Sequence, residues 1–387
     1  MSIKIMIVDD ELDMESLILQ KFRRQIKNND LSFVFAHNGF EALAVLASNN
    51  DVDIILTDIN MPEMDGLTLL LKLQELKLPT LRTVVVSAYG DMENIRTAMN
   101  RGAFDFVTKP IDFNDLEITI NKTIEQLNIL RQYEKDHDKL VAIEFDLNIA
   151  RDIQNSILPK TFPPFPELSQ LDVYASMNAA KEVGGDFYDF FFIDDSHLAC
   201  IIADVSGKGV PASLFMAITR TLVRAKTEPN VKPNVIFENV NRMLCKENPN
   251  SMFVTSFMGI LDIHTGEFAF CNAGHNYPYI IKNNNDLVCI DKKHGLPLGL
   301  FEKDYLSDSI FLEKNDRIIL YTDGVTEAMN KDFELYGEDR LCELLKSIST
   351  NNPKDINDLL IADVNKFVDG ADQSDDITTL ILSFYKD

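Results

Sequence analysis

Short apolar runs alternate with amphipathic stretches through about the first 120 residues, and this alternation constrains the fold more than any other feature of the chain. The runs are rich in valine and isoleucine and lie at 4–8, 33–36, 54–57, 83–87 and 104–108. They are almost continuously apolar rather than alternating, as are parallel strands covered on both faces. The stretches between them, such as 12–26, have the periodicity of amphipathic helices. The pattern therefore predicts a doubly wound α/β domain.

A stretch of helical composition follows this domain. Residues 113–156 contain no proline or glycine and are dominated by leucine, isoleucine, glutamate, glutamine and lysine, which predicts one long helix. Within it, the 4-3-4-3 spacing of a coiled-coil seam joins Leu116, Ile120, Thr123, Leu127 and Leu130. The seam falters at 134–138 and resumes imperfectly between Leu140 and Ala150. We expect a homodimer through this helix, although a helix packed on its own domain gives the same stripe.

The residues beyond the helix have a different pattern. Prolines at 159, 163, 164 and 166 end the helix and mark a boundary. Strand-like runs then alternate with helical patterns at 212–227, 233–245, 340–347 and 353–369. Strands and helices in this order predict an α+β sandwich flanked by helices. The expected organisation is an α/β domain at 1–122, a helical coiled-coil linker at 123–165 and the sandwich domain at 166–387.

The charge balance limits the partners of the chain. Its 37 lysine and arginine residues face 61 aspartate and glutamate residues, which gives a net charge of −24. Long-range repulsion then opposes nucleic acid or an anionic membrane surface as the main partner. Acidic surfaces are also common on ordinary proteins, so the charge identifies no partner by itself. We expect no nucleic acid and no membrane among the partners.

Three features favour a cytoplasmic location. No apolar run approaches the ~20 residues needed to span a bilayer. The N-terminal run turns acidic at Asp9, too early for the apolar core of a signal peptide. The five cysteines are odd in number, scattered and without C-x-x-C spacing. This pattern suits a reducing compartment and argues against a disulfide framework or a zinc site.

Aspartates close two of the predicted parallel strands. Asp9 and Asp10 follow the first strand and Asp58 follows the third. The carboxyl ends of such strands gather functional groups at one edge of the sheet. Like charges ~4 Å apart repel by about 4 kcal/mol at an effective dielectric near 20, and a divalent cation relieves this repulsion. Oxygen ligands favour Mg²⁺, although each aspartate alone could simply cap the helix that follows it.

With its flanking motifs, this set resembles the receiver domains of response regulators. The motif Thr-Asp-Ile-Asn-Met-Pro-Glu-Met-Asp-Gly runs through 57–66, the fourth strand ends at Ser87, and Lys109 precedes a proline after the fifth. The resemblance implies that Asp58 accepts a phosphoryl group from a histidine kinase or a phosphotransfer protein. It further implies a Mg²⁺ site at Asp9, Asp10, Asp58 and the carbonyl of Asn60, phosphoryl contacts from Ser87 and Lys109, and a switch aromatic at Phe106.

Four acidic motifs lie in the C-terminal part, each at the edge of a strand-like run. They are Val-Gly-Gly-Asp-Phe-Tyr-Asp at 183–189, Ala-Asp-Val-Ser-Gly-Lys-Gly at 203–209, Tyr-Thr-Asp-Gly-Val at 321–325 and Ser-Asp-Asp-Ile-Thr at 374–378. A plain turn explains each glycine, but not why four apolar strands end in carboxylates. If the four ends converge, they form a hard-oxygen site for two Mg²⁺ or Mn²⁺ ions. Zinc fits poorly because the six histidines show no close ligand pairing.

In this order the motifs resemble those of metal-dependent protein phosphatases, specifically their bacterial sporulation-stage-II-E branch. Further matches lie at 149–159, 272–276 and 295–299. The resemblance implies that Asp204 bridges two ions and that Val205 adds its carbonyl oxygen. It assigns Asp323 and Asp375 to one ion, Asp186 to the other, and Asp189 and Asp376 to supporting positions. Lys181 resembles the residue that receives the substrate phosphate, with a solvated surface lysine as the alternative.

One position departs from this family. Eukaryotic relatives place a histidine two residues after the bridging aspartate, as the expected proton donor to the leaving group, and this chain has Ser206 there. The general acid therefore stays open. A water held by the metal is one candidate. His275 is another on chemical grounds alone, and a role in structuring its loop is the alternative.

Together the two resemblances imply a response regulator in which phosphorylation of Asp58 controls a serine/threonine protein phosphatase. The expected substrate class is a phosphorylated anti-sigma-factor antagonist, and the helix at 113–156 is expected to carry the signal. The alternative is a catalytically silent phosphatase fold that binds a partner under the control of phosphorylation. A cyclic-dinucleotide synthase is a poorer match, because Phe187 stands where that signature has a metal-binding glutamate.

Overall fold

The computed structural model describes residues 2–48, 51–88, 90–246, 248 and 250–386. It consists of two compact units, of which the first ends at Ile143 and the second begins at Glu144. None of the helices in this described part has both the length and the apolar character that crossing a membrane requires.

The first unit is an α/β domain. Its elements are β1 (Ile3–Val8), α1 (Asp13–Lys21), α2 (Arg23–Lys27), β2 (Leu31–Ala36), α3 (Gly39–Ser48), β3 (Ile54–Asp58), α4 (Gly66–Glu75), β4 (Arg82–Ala88), α5 (Met92–Asn100) and β5 (Asp105–Lys109). The strands form one parallel sheet in the order β2-β1-β3-β4-β5. The predicted doubly wound fold is confirmed.

Both faces of this sheet are covered, which explains the continuous apolar runs in the sequence. On β1, Ile5 packs in one hydrophobic cluster with Phe22, whereas its neighbour Met6 packs in another with Leu46 and Leu69. All five residues of β3 are buried. Because the strands are parallel, their carboxyl ends meet at one edge of the sheet, and this edge carries the first functional site.

The predicted long helix is α6 (Phe113–Ile157). Leu116, Ile120 and Leu127 are at most 1 % exposed and belong to the same cluster as Ile5 of the sheet. Thr123, which stands between them, is also fully buried. These positions therefore pack on their own domain, as the alternative interpretation of the stripe proposed. They are not available as a seam for a second chain.

The second unit is an α+β sandwich. Its elements are β6 (Leu171–Asn178), β7 (Phe187–Phe192), β8 (His197–Val205), α7 (Val210–Lys226), α8 (Pro233–Lys246), β9 (Val254–Asp262), β10 (Glu267–Ala273), β11 (Tyr279–Ile281), β12 (Leu287–Cys289), β13 (Asp308–Phe311), β14 (Asp316–Tyr321), α9 (Asp323–Thr326), α10 (Gly337–Ser347), α11 (Pro353–Val368) and β15 (Ile377–Phe384). The strands form two antiparallel sheets, ordered β13-β10-β9-β8-β7 and β12-β11-β14-β15-β6.

Alternating residues along β14 show how the layers are built. Ile318 faces the main cluster, which also holds Phe257 of the other sheet, whereas Ile319 faces a second cluster with Leu341 and Leu360 of the covering helices. Helices therefore flank a two-sheet core, as the sequence predicts. The carboxylates at the strand ends lie at the rim of this core, where burial is high and each charge must find a partner.

Candidate functional sites

The first acidic site lies at the carboxyl edge of the parallel sheet. Asp9 follows β1 and Asp58 ends β3, and the register that pairs Val8 with Thr57 brings these two ends together. Oxygens of Asp9, Asp10 and Asp58 all lie within 4.8 Å of one another. Asp9 and Asp58 are buried, whereas Asp10 is exposed. The predicted carboxylates therefore meet, and an all-oxygen set of this size suits a hard divalent cation such as Mg²⁺.

Lys109 brings a positive charge to this cluster. Its Nζ lies 2.6 Å from Asp58 Oδ2, 3.2 Å from Asp9 Oδ2 and 3.0 Å from Glu11 Oε1. Burial works to lower the pKa of Lys109, but its hydrogen bonds to Asp58 and Glu11 outweigh burial and raise that pKa. Burial also raises the pKa of Asp9, against the opposing effect of Lys109. Lys109 thus stays charged beside the expected phosphoacceptor.

The remaining receiver residues lie on β4, on β5 and in the loop after β3. Ser87 near the end of β4 is fully buried, and its hydroxyl has no hydrogen-bond partner among the described residues. It stands one residue before Ala88, which pairs with Lys109 on β5. The backbone N–H of Asn60 donates to Asp58 Oδ1 at 3.3 Å. Phe106 is 37 % exposed, so part of its side chain is in contact with solvent.

The second acidic site lies at the ends of four strands in the sandwich. Asp186 precedes β7, and the pairing of Phe187 with Ala203 sets it beside Asp204 on β8. Asp323 begins α9 directly after β14, and Asp375 stands just before β15. The four predicted carboxylates thus come from both sheets and face one region of the domain.

Electrostatic coupling links these carboxylates. Burial, followed by repulsion from Asp323, raises the pKa of Asp204 to about 7. Burial and then the charges of Asp204 and Asp376 raise the pKa of Asp186 far above its ordinary value. Burial, Glu327 and Asp375 raise the pKa of Asp323. In the described part of the chain, however, no three of the four offer oxygens that all lie within 4.8 Å of one another. They share one environment without meeting at a single point.

Asp376 organises the segment that carries Asp186. Its Oδ1 accepts from the N–H of Ala180 at 2.8 Å, and its Oδ2 accepts from the N–H of Gly185 at 2.7 Å. Gly184 fits against this carboxylate because a Cβ at that position would stand 2.5 Å from Asp376 Oδ2. The supporting role expected of Asp376 therefore takes the form of a backbone clamp.

Two hydroxyl groups next to Asp186 were not identified from the sequence, whereas the carbonyl of Val205 was. The hydroxyls of Thr322 and Thr378 partly offset the rise in the pKa of Asp186. The carbonyl oxygen of Val205 lies 2.9 Å from the point where a Cβ of Gly185 would stand, so it faces the Asp186 segment. Asp186 Oδ2 is buried with no hydrogen-bond partner among the described residues. A buried, unpartnered carboxylate oxygen fits a site that holds a cation.

Asp189 does not support this site, contrary to expectation. It is 1 % exposed and forms ion pairs with two arginines of α7, at 3.0 Å from Arg220 Nη2 and 2.8 Å from Arg224 Nε. Arg224 also stacks on the ring of Phe191, 4.4 Å from its centroid. Asp189 therefore fastens α7 to β7, and other residues support the metal-site carboxylates.

His275 and Ser206 have structural roles. His275 is 2 % exposed, and its Nδ1 lies 2.9 Å from Thr255 Oγ1. Burial lowers its pKa to about 3, so the ring is neutral and cannot donate a proton as an imidazolium at pH 7. The backbone N–H of His275 donates to Asn272 Oδ1 at 2.7 Å, which structures the loop. Ser206 Oγ accepts from the N–H of Phe253 at 2.9 Å and ties two loops together.

The end of α6 holds the backbone that leads to Asp186. Gln154 Nε2 donates to the carbonyl of Gly184 at 2.7 Å, and Gln154 Oε1 accepts from the N–H of Gly184 at 3.1 Å. Arg151 Nε donates to the carbonyl of Glu182 at 2.7 Å. Exposed Lys181 lines a cleft of about 290 Å³ together with Arg151 and Gln154.

Comparison with known protein families gives two matches. The model of the response regulator receiver domain matches residues 5–121. The model of stage II sporulation protein E (SpoIIE) matches residues 194–385. Both family resemblances are therefore confirmed.

Individual relatives agree with these matches. Protein IcfG of Synechocystis sp. is 32 % identical over 307 residues, which cover 69 % of this chain and 48 % of that protein. The phosphoserine phosphatase RsbU of Bacillus subtilis is 31 % identical over 219 residues, covering 53 % and 64 %. This chain thus spans about half to just under two thirds of the length of these curated relatives. The SiaA-PP2C domain of Pseudomonas aeruginosa has the same fold, with a TM-score of 0.55, 21 % identity and coverage of 64 % and 98 %.

Proposed function

The chain joins an N-terminal response-regulator receiver domain to a C-terminal SpoIIE-type phosphatase domain, and we propose on this premise that it is a phosphorylation-controlled protein phosphatase. It hydrolyses phosphoserine or phosphothreonine at a rate set by the phosphorylation of Asp58. The observation that carries the proposal is the group of carboxylates in the second unit, in which burial, together with neighbouring negative charges, raises the pKa values of Asp186, Asp204 and Asp323.

The residues at this site fit hard divalent cations. Asp186, Asp204, Asp323, Asp375 and the carbonyl of Val205 offer oxygen atoms only, which favours Mg²⁺ or Mn²⁺ over zinc. Asp204 would help to hold both ions, as the family resemblance implies, since it lies next to Asp186 and its charge interacts with that of Asp323. Two such ions, when bound, would activate a water molecule and neutralise charge on the phosphate.

The protein's own groups position the reactants. Asp376 fixes the Asp186 backbone through its bonds to Ala180 and Gly185. Lys181 lines the cleft next to the Asp186 segment, where its ammonium would meet the phosphate dianion as a point charge. Neutral His275 is not the acid that protonates the leaving oxygen, because burial keeps its pKa near 3.

The substrate proposed is a phosphoserine protein. The relative RsbU is named a phosphoserine phosphatase, and its branch implies an anti-sigma-factor antagonist as the phosphoprotein. The phosphodonor for Asp58 is a histidine kinase or a phosphotransfer protein, since a receiver domain with this acidic site takes its phosphoryl group from such a partner.

Turnover tests the catalytic part of the proposal. With Mn²⁺, the full chain is expected to hydrolyse p-nitrophenyl phosphate and a phosphoserine protein, and Asp204→Asn is expected to lower the rate roughly 100-fold or more. Asp195→Asn, an exposed carboxylate in the β7–β8 turn, serves as the control with unchanged rate. If neither substrate turns over in any phosphorylation state while Mn²⁺ still binds, the silent binding module is the better description.

Contacts at the two ends of α6 support the proposed control by Asp58. Its first turns pack in the receiver core through Leu116 and Leu127, and its last turns hold Gly184 through Gln154. A change in α6 therefore reaches the backbone next to Asp186. Beryllofluoride is expected to change the phosphatase rate of the wild type and of Asp30→Asn, but not of Asp58→Asn. Equal responses of all three proteins would reject this route.

A homodimer stays part of the proposal, but through a different part of α6. Between 133 and 149 the helix exposes Tyr133, Leu140, Ile143 and Phe145, each more than half exposed. Apolar side chains at such exposure gain free energy when a partner covers them. A second copy of the same helix is the partner that heptad-like spacing favours.

A further inference from the structure

Lys208 lies in a glycine-flanked loop beside the second acidic site. The loop at 206–209 joins β8, which carries Asp204, to α7. Gly207 and Gly209 both have positive φ, at 88° and 77°, a conformation that favours glycine over other residues. The lysine side chain extends from this loop to the segment that precedes β15. Its side chain is 39 % exposed, so its head group also reaches water.

The ammonium of Lys208 is bound to an expected metal ligand. Its Nζ lies 2.8 Å from Asp375 Oδ2 and donates to the carbonyl oxygen of Ser374. Its charge also lowers the pKa of Asp323, against the larger effect of burial. Among the described residues, no other lysine or arginine forms an ion pair with Asp186, Asp204, Asp323 or Asp375. Lys208 is therefore the internal counter-ion of this carboxylate group.

We propose that Lys208 competes with the divalent cation for Asp375 and thereby sets the metal affinity of the site formed by Asp323 and Asp375. The inference rests on the proposed metal site and adds a residue that controls its occupancy. Both oxygens of Asp375 are engaged, Oδ2 by the ammonium at 2.8 Å and Oδ1 by the N–H of Asp376 at 2.9 Å, so an ion that binds Asp375 must displace Lys208 or bind against its charge.

The separation of the carboxylates supports this inference. No three of them, among the described residues, come within 4.8 Å of one another, although their charges interact. The bond from Lys208 holds Asp375 by its carboxylate and by the neighbouring Ser374 carbonyl at once. Release of both bonds would free Asp375 to turn towards Asp323. The cluster would then be able to close around an ion.

Titration of metal-stripped, full-length protein with Mn²⁺ in a calorimeter tests the inference. Lys208→Gln and Lys208→Met are expected to bind Mn²⁺ about tenfold more tightly than the wild type at one site, and Lys208→Arg is expected to stay close to the wild type. Lys354→Gln removes the same charge from an exposed pair with Asp358 on α11. Its Mn²⁺ affinity is expected to equal that of the wild type.

Thermal unfolding gives an independent readout. Without the metal, Lys208→Gln is expected to melt below the wild type, because the carboxylates lose their counter-ion. Saturating Mn²⁺ is expected to remove or reverse this difference. Equal or weaker Mn²⁺ binding by both Lys208→Gln and Lys208→Met would overturn the inference alone. A wild type that takes up no Mn²⁺ in the second unit would overturn the proposed function together with it.

Discussion

Replacement of Asp376 by asparagine perturbs the clamp on the Asp186 segment while keeping the side chain's shape. The carboxylate accepts N–H bonds from Ala180 at 2.8 Å and from Gly185 at 2.7 Å, and a longer one from Asp186 at 3.4 Å. Asparagine keeps one acceptor oxygen and turns a donor NH₂ towards the other N–H group. At least one hydrogen bond to a charged group is lost, and such bonds are worth roughly 1.5–3 kcal/mol each.

Loss of the Asp376 charge has an opposing effect, since that charge also raises the pKa values of Asp186 and Asp204. This relief is small, because burial, and not the charge of Asp376, is the largest cause of both raised pKa values. The clamp therefore dominates, and we expect a net loss of about 1.5–3 kcal/mol in the free energy of unfolding of the second unit. For a unit of this size, that corresponds to a fall in Tm of roughly 3–12 °C.

Scanning calorimetry of the full chain measures this loss. The transition of the second unit is identified as the one that Mn²⁺ shifts upward. Asp372→Asn, an exposed carboxylate four residues earlier in the same loop, is the matched control and should leave that transition unmoved. The clamp argument fails if Asp376→Asn shifts the transition by less than about 2 °C, or if Asp376→Asn binds Mn²⁺ as tightly as the wild type.

Three further outcomes follow from the same contacts. Gln154→Ala removes two neutral hydrogen bonds to Gly184, worth about 1–3 kcal/mol together. The phosphatase rate of Gln154→Ala should fall by roughly 5- to 100-fold, whereas the rate of Asp152→Ala should not change. Equal rates for Gln154→Ala and the wild type would contradict this. Because the folded-state pKa of Asp204 lies near 7, above the ordinary 3.8, metal-free protein should lose stability as pH rises from about 4 to about 7. Mn²⁺ affinity should increase through the same range, and a flat calorimetric profile would count against it. Light scattering should report twice the monomer mass, with Leu140→Glu plus Ile143→Glu monomeric and Lys135→Glu still dimeric; a monomeric wild type would end the dimer proposal.

The sequence predicts those features that depend on strand type and strand ends. Continuous apolar runs specify a two-sided sheet, and parallel strands force their ends to one edge, so the meeting of Asp9 and Asp58 follows from order alone. The layers of the sandwich are predictable because successive residues of a strand point to opposite faces, as Ile318 and Ile319 do.

Bonds between distant residues could not be predicted in this way. Asp189 and Asp376 look alike in their motifs, yet one binds arginines of α7 and the other binds backbone N–H groups. Lys208 and Ser374 are 166 positions apart, and no local pattern links them. The stripe from Leu116 to Leu127 has the same period whether a sheet or a second helix covers it, so only the tertiary structure decides between the two.

The burial of Leu127 has a consequence for how such proteins exchange domains by recombination. A recombination point placed directly after the receiver match, at 121, would leave behind Leu127, which is 0 % exposed, and Arg131, which pairs with Asp53. Loss of the leucine alone would cost about 1.5–3 kcal/mol of burial energy. A transplanted receiver domain therefore needs the helix through Arg131. A new effector domain can be joined beyond that residue without destabilising the receiver domain.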